Sequence, residues 1–120
     1  MKFGYVVLYV QDSEACLRFW TEQVGMVQRQ RKDAAGHVIY QVGFADQDVS
    51  FELVPLALMQ DNPDGLDLAT PSVCFRSEEL QTLQTKLVGN GVQATEVGEH
   101  FGMRTFAFCD PEGKWFAVAG

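Results

Sequence analysis

With 120 residues, 47% of them hydrophobic and 12% aromatic, the chain is long enough for one globular domain with a real core, and its composition argues against disorder. A formal charge of −7 and a pI near 4.6 oppose nucleic acid or any other polyanionic partner, which requires clustered Lys and Arg. The longest apolar run, Tyr5 to Val10, falls far short of the roughly 18–20 residues of a membrane span, so no membrane partner is expected and the chain reads as soluble.

Residues 4–10 form a short β-prone run. Asp12 or Ser13 then offers an N-cap with Glu14 in the first turn, and Cys16, Phe19, Trp20 and Val24 recur at helical spacing before Gly25. That spacing predicts a helix over residues 13–24 with one face turned to a sheet. Extended segments follow near 26–32, 37–44 and 49–55, separated by turn-forming stretches at 33–36 and 45–48. The basic cluster Arg29, Arg31 and Lys32 reads as the solvated face of the first of these strands. Residues 56–70, with Asp61, Asn62, Pro63, Asp64 and Gly65 at their centre, read as a linker; the fixed glycine and terminal glutamate of a calcium loop are missing.

The second half repeats the order. Residues 71–76 read as a strand, Ser77 as a cap with Glu78 and Glu79 in the first turn, and Leu80, Leu83 and Leu87 as one helical face ended by Gly89 and Gly91. Strands are expected near 92–97, 103–109 and 115–119, with Asp110-Pro111-Glu112-Gly113 as the turn between the last two. The fold class is therefore α+β: two βαβββ modules, 1–55 and 71–120, joined by the linker within one domain. Their mixed sheets are expected to curve around a shared cleft with the helices outside. Cys16, Cys74 and Cys109 are odd in number and lack a C-x-x-C spacing; each lies in an apolar segment. Reduced core thiols and a cytoplasmic location are expected.

Several stretches, in order, resemble a known family. Tyr5-Val-Val-Leu-Tyr-Val-Gln-Asp12, Leu17-Arg-Phe19-Trp20 and Val24-Gly25-Met26 look like the opening strand, Asp, "FY" and "LG" signature of the vicinal oxygen chelate superfamily (glyoxalase, bleomycin resistance protein, extradiol dioxygenase), with Trp20 where tyrosine is usual. Ser50-Phe51-Glu52-Leu53 is similar to that family's fourth strand, and the segment from Asp110 to Val118 to its closing "DPxGxxxE" segment. The resemblance covers nearly the whole chain. In metal-using relatives four strands each give one ligand, and by motif those positions fall on Tyr5, Glu52, Thr70 and Ala117. Only Glu52 is a good donor. A divalent catalytic metal takes about three protein donors, and a phenol and a neutral hydroxyl replace them poorly, so neither a metal nor another cofactor is expected. His37 and His100, the two imidazoles, lie outside these positions and read as surface or strand-end residues.

Period-two alternation puts Tyr5, Val7 and Tyr9 on one face of the first strand, Ser50, Glu52 and Val54 on one face of the fourth, and Trp115, Ala117 and Ala119 on one face of the last. The resemblance assigns these faces to the cavity, so the expected ligand-binding set is Tyr5, Val7, Tyr9, Ser50, Glu52, Thr70, Trp115 and Ala117. An aromatic pocket with a lone acid suits an apolar or cationic small molecule. The plainer alternatives are that Tyr5, Tyr9 and Trp115 fill the core, that Glu52 faces solvent, and that Arg104 is a surface residue rather than a further polar group of the site. The leading functional expectation is a metal-independent binding protein resembling bleomycin-resistance proteins, working as a homodimer and sequestering its ligand. The alternatives are an enzyme of the glyoxalase, dioxygenase or epimerase type that uses Glu52 as a general base or holds a metal at positions the motif alignment displaces, and an interaction domain without a small ligand.

Overall fold

In the computed structural model, which describes residues 1–120, the first strand β1 (Val6–Val10) leads directly into a capped helix. Of the two candidate caps Asp12 takes the role, its carboxylate accepting from the Glu14 and Ala15 amides at 3.1 and 3.0 Å at the start of α1 (Ser13–Arg18). The Ser13 hydroxyl instead donates to the Val38 carbonyl at 2.7 Å and ties the helix to the sheet. α-Helical pairing does not persist to residue 24 as expected. From Phe19 to Gln23 the coil widens into a π turn, with the Val24 amide bonded to the Phe19 carbonyl at 3.3 Å. This turn accommodates two adjacent buried aromatics: Phe19 meets Trp20 edge-on at 5.3 Å, and Trp20 meets Phe51 at 5.1 Å. Gly25, at a φ of +94°, ends the coil in a conformation that costs other residues more.

The unit Met1–Thr70 continues through β2 (Val27–Ala34), β3 (His37–Gly43) and β4 (Ser50–Pro55). Its sheet has the order β1-β4-β3-β2, with β1 and β4 parallel and the other pairs antiparallel. α1 packs on β3 and β4. Leu8, Val10, Tyr40, Val42, Phe51 and Leu53 are buried, as are Cys16, Phe19 and Trp20 of the helix, each large side chain contributing roughly 1.5–3 kcal/mol of burial. After β4 the expected linker opens with a 3-10 turn (Leu56–Met59). Asn62 braces the middle of the linker, its side chain bonding the Leu66 carbonyl and amide at 2.8 and 3.1 Å.

The unit Pro71–Gly120 repeats the plan with β5 (Cys74–Arg76), α2 (Leu80–Gly89), β6 (Gly98–His100), β7 (Met103–Cys109) and β8 (Trp115–Ala119). Its order, β5-β8-β7-β6, with a parallel β5–β8 pair, matches the first sheet strand for strand. Phe106, Phe108, Phe116 and Val118 are buried, and the Phe108 ring stacks on Phe116 at 5.9 Å and on Phe75 at 6.1 Å. α2 packs on β7, with Leu80 and Leu87 buried and Leu83 partly exposed. The α+β fold of two like modules is thus present, and no helix is long and apolar enough to cross a membrane.

β5 begins at Cys74 rather than at residue 71, and three further expectations fail in this unit. Ser77 is not the helix cap: its hydroxyl accepts from the Glu79 amide at 3.2 Å in a turn before the helix, and Glu79 takes the cap position without a side-chain bond. The strand expected over 92–97 is displaced to β6, because the two-residue turn Phe101-Gly102, at φ values of +52° and +75°, pairs His100 with Met103. Residues 93–95 keep only an irregular contact with β7, through the Ala94–Phe108 bridge and the Thr95 amide to the Ala107 carbonyl at 2.8 Å. The third failure is Cys74. Cys16 is buried and Cys109 partly so, but Cys74 is exposed, because its strand parity is opposite to that of Phe75, which stacks on the buried Phe108.

Candidate ligand-binding faces

Each sheet has one helix-covered face and one that is free of helix. On the free face of the first unit, β1 pairs Val7 with Glu52 and Tyr9 with Val54, while β3 pairs Gln41 with Glu52 and Gly43 with Ser50. With strands about 4.8 Å apart, Val7, Glu52 and Gln41 form a row across three strands and Glu52 is its middle member. Ser50 and Val54 are buried; Val7, Tyr9, Gln41 and Glu52 are half-buried. The Glu52 carboxylate makes no hydrogen bond or ion pair, and the salt bridge of Arg31 to Asp33 at 2.9 Å is on the surface. Tyr5 precedes β1, unpaired and 47% exposed.

On the second unit's free face Cys74, Ala117 and Ala107 form the corresponding row, and Trp115 pairs with Cys109 beside it. Trp115 is 45% exposed, so neither it nor Tyr5 fills the core. Thr70 lies four residues before β5 and outside both sheets. The position beside Ala117 that the motif alignment gave to Thr70 is occupied by Cys74, since pairing with β8 begins only at the Val73 carbonyl, which accepts from the Ala117 amide at 3.1 Å. The structure therefore groups Val7, Tyr9, Ser50 and Glu52 on one sheet and Trp115 with Ala117 on the other. Arg104 is exposed. Gln41, Cys74 and Ala107 are additions to the faces; Gln41 was signalled as the single polar residue in the run Val38-Ile39-Tyr40-Gln41-Val42.

Within neither unit do three His, Cys, Asp or Glu side chains gather. One carboxylate in the Glu52 row and one thiol in the Cys74 row do not fit a divalent centre, which takes about three donors. His37 opens β3, and His100 sits on β6 with Nδ1 2.9 Å from the Thr105 hydroxyl. The Cys109 thiol, at the edge of the second face, is pushed up by burial and by the neighbouring Asp110 carboxylate, which disfavours the nucleophilic thiolate.

The profile of the glyoxalase/bleomycin resistance protein/dioxygenase superfamily matches residues 2–118. The chain belongs to this superfamily. Among solved members of similar fold are TnmS3, an antibiotic binding protein from Streptomyces sp. CB03234 (TM-score 0.80, 19% identity, 99% of this chain and 94% of that one covered), and a superfamily member from Sphaerobacter thermophilus DSM 20745 (0.82, 17%, 99% and 96%). A structure of a glyoxalase/bleomycin resistance protein from Streptomyces sp. CB03234 superposes with a TM-score of 0.74 at 19% identity, covering 97% of both chains. At these identities the likeness is one of fold. No curated protein sequence matches the chain.

Proposed function

We propose that this superfamily member is a metal-independent small-molecule-binding protein that sequesters an apolar ligand carrying a cationic group, using the helix-free sheet face that presents Glu52. The observation that carries the reading is Glu52: a half-buried carboxylate with no partner, between Val7 and Gln41 and one row from Tyr9 and Val54. Such a carboxylate is already partly desolvated, so a ligand ammonium or guanidinium gains a charge-assisted hydrogen bond worth about 1.5–3 kcal/mol. On the second unit's own face, the exposed ring of Trp115 is a separate π surface of the kind cations and aromatic ligands favour. The fold shared with an antibiotic binding protein supports the same reading. A cytoplasmic location is part of the proposal, supported by three free thiols, one of them exposed, and so is a homodimeric state, which the family resemblance suggests.

The test is a calorimetric screen of cationic and neutral apolar compounds against the full chain. A hit is then titrated against Glu52→Gln. The variant is expected to keep its stability and to bind about ten- to hundred-fold more weakly; equal affinities would remove Glu52 from the site. Elemental analysis finding about one metal per chain after dialysis would overturn the metal-free reading.

A further inference from the structure

Strand β2 carries a bulge: Gln28 pairs with Val42 and Gln30 with Gln41, which leaves Arg29 unmatched on β3. Arg29 passes over Gly43 into a ring of main-chain oxygens formed by the connection between β3 and β4. Its Nη2 donates to the Phe44 carbonyl at 2.5 Å and to the Gln47 carbonyl, and its Nη1 donates to those of Asp48 and Val49 at 3.1 and 3.4 Å. Gly43 makes the passage possible, since a Cβ there would lie 2.7 Å from the Arg29 Cζ. Asp46 and Asp48 add negative charge to the same connection. Four carbonyls around one planar, permanently charged group suit the five fixed donors of a guanidinium and not the three donors of an ammonium.

We infer that residues 44–49 form a guanidinium receptor whose occupant is Arg29 of the same chain, and that this occupancy fixes where β4 begins. Immediately beyond the receptor, Ser50 pairs with Gly43 and Glu52 with Gln41. Arg29 is therefore a positioning residue for the strand that presents Glu52; only that last consequence rests on the ligand-face reading, and the receptor can be tested without any ligand.

The probe is guanidinium chloride at up to about 50 mM, against sodium chloride at equal ionic strength, added to the full chain carrying Arg29→Ala. The variant is expected to melt about 5–10 °C below the wild type and to regain part of that loss with guanidinium, which leaves the wild type unchanged or slightly lowered. Amide exchange at residues 49–52 should quicken at least tenfold in the variant and slow again when guanidinium is added, a reversal that a general loss of stability would not produce. If Arg29→Ala does not fold, Arg29→Lys is compared with Arg31→Lys on the same strand: several degrees lost at position 29 and almost none at 31 support the receptor. Guanidinium that lowers the Arg29→Ala midpoint as it lowers that of the wild type, or equal effects of the two lysine variants, would overturn it.

Discussion

Asp110 is held in the turn between β7 and β8 through one oxygen, its Oδ1 accepting from the Glu112 and Lys114 amides, each at 2.9 Å. Burial nonetheless pushes its pKa above the ordinary 3.8, the two amides and Lys114 offsetting only part of the shift. A carboxyl with a raised folded-state pKa holds its proton more tightly folded than unfolded. Its stabilising contribution is therefore complete below pH 3.8 and is lost as the pH rises through the folded value. Asp110→Asn keeps an acceptor oxygen and discards the charge, so it is expected to melt at or slightly above the wild type at pH 7, with the gap closing as the pH falls through the folded value and fully closed below 3.8. Asp110→Ala strands both amides and should cost about 1–3 kcal/mol at either pH. Calorimetry across that range checks both. The turn itself was legible from Asp110-Pro111-Glu112-Gly113, and the face that Glu52 shares with Ser50 and Val54 from strand parity. Arg29 was not, because a bulge breaks the alternation from which a side chain's face is read; as a result, a residue bonded to four carbonyls looked like a solvated charge.

At the scale of elements, α1 has six α-helical residues before the π turn, too few to be stable alone. Its persistence rests on Trp20 and Phe19 in the core and on the Asp12 cap. Asp12→Ala should therefore cost about 1 kcal/mol, read as a lower urea midpoint with an unchanged slope. The helix was legible because its apolar spacing and its cap lie within one short window. β6 was not: residues 92–97 carry a strand-like pattern, but the hairpin turn at Phe101-Gly102 sets the register, and a phenylalanine at a positive φ gives no turn signal. β5 was overextended for a related reason, since residues 71–73 resemble a strand in composition but the pairing with β8 begins at Cys74.

At the scale of the whole molecule, the duplication was legible because both halves space strand, helix and three strands almost equally, even though Ser77 does not cap the second helix. Thr70 was misplaced because a motif alignment across the linker has no periodic anchor, whereas pairing with β8 supplies one. The homodimer proposal predicts a mass near twice 13.4 kDa by light scattering at micromolar concentration; the single value would contradict it. The shared strand order has a further consequence for chain growth. In each unit the last strand to be made is an interior one, β4 lying between β1 and β3 and β8 between β5 and β7. Neither sheet can close while that strand is still in the ribosome, and β1 waits some forty residues for its only neighbour, the kind of distant pairing that slows folding. A nonsense codon just before Trp115 would take out the strand on which β5 and β7 both depend, so its product should be cleared by proteolysis rather than persist as a protein with a frayed end.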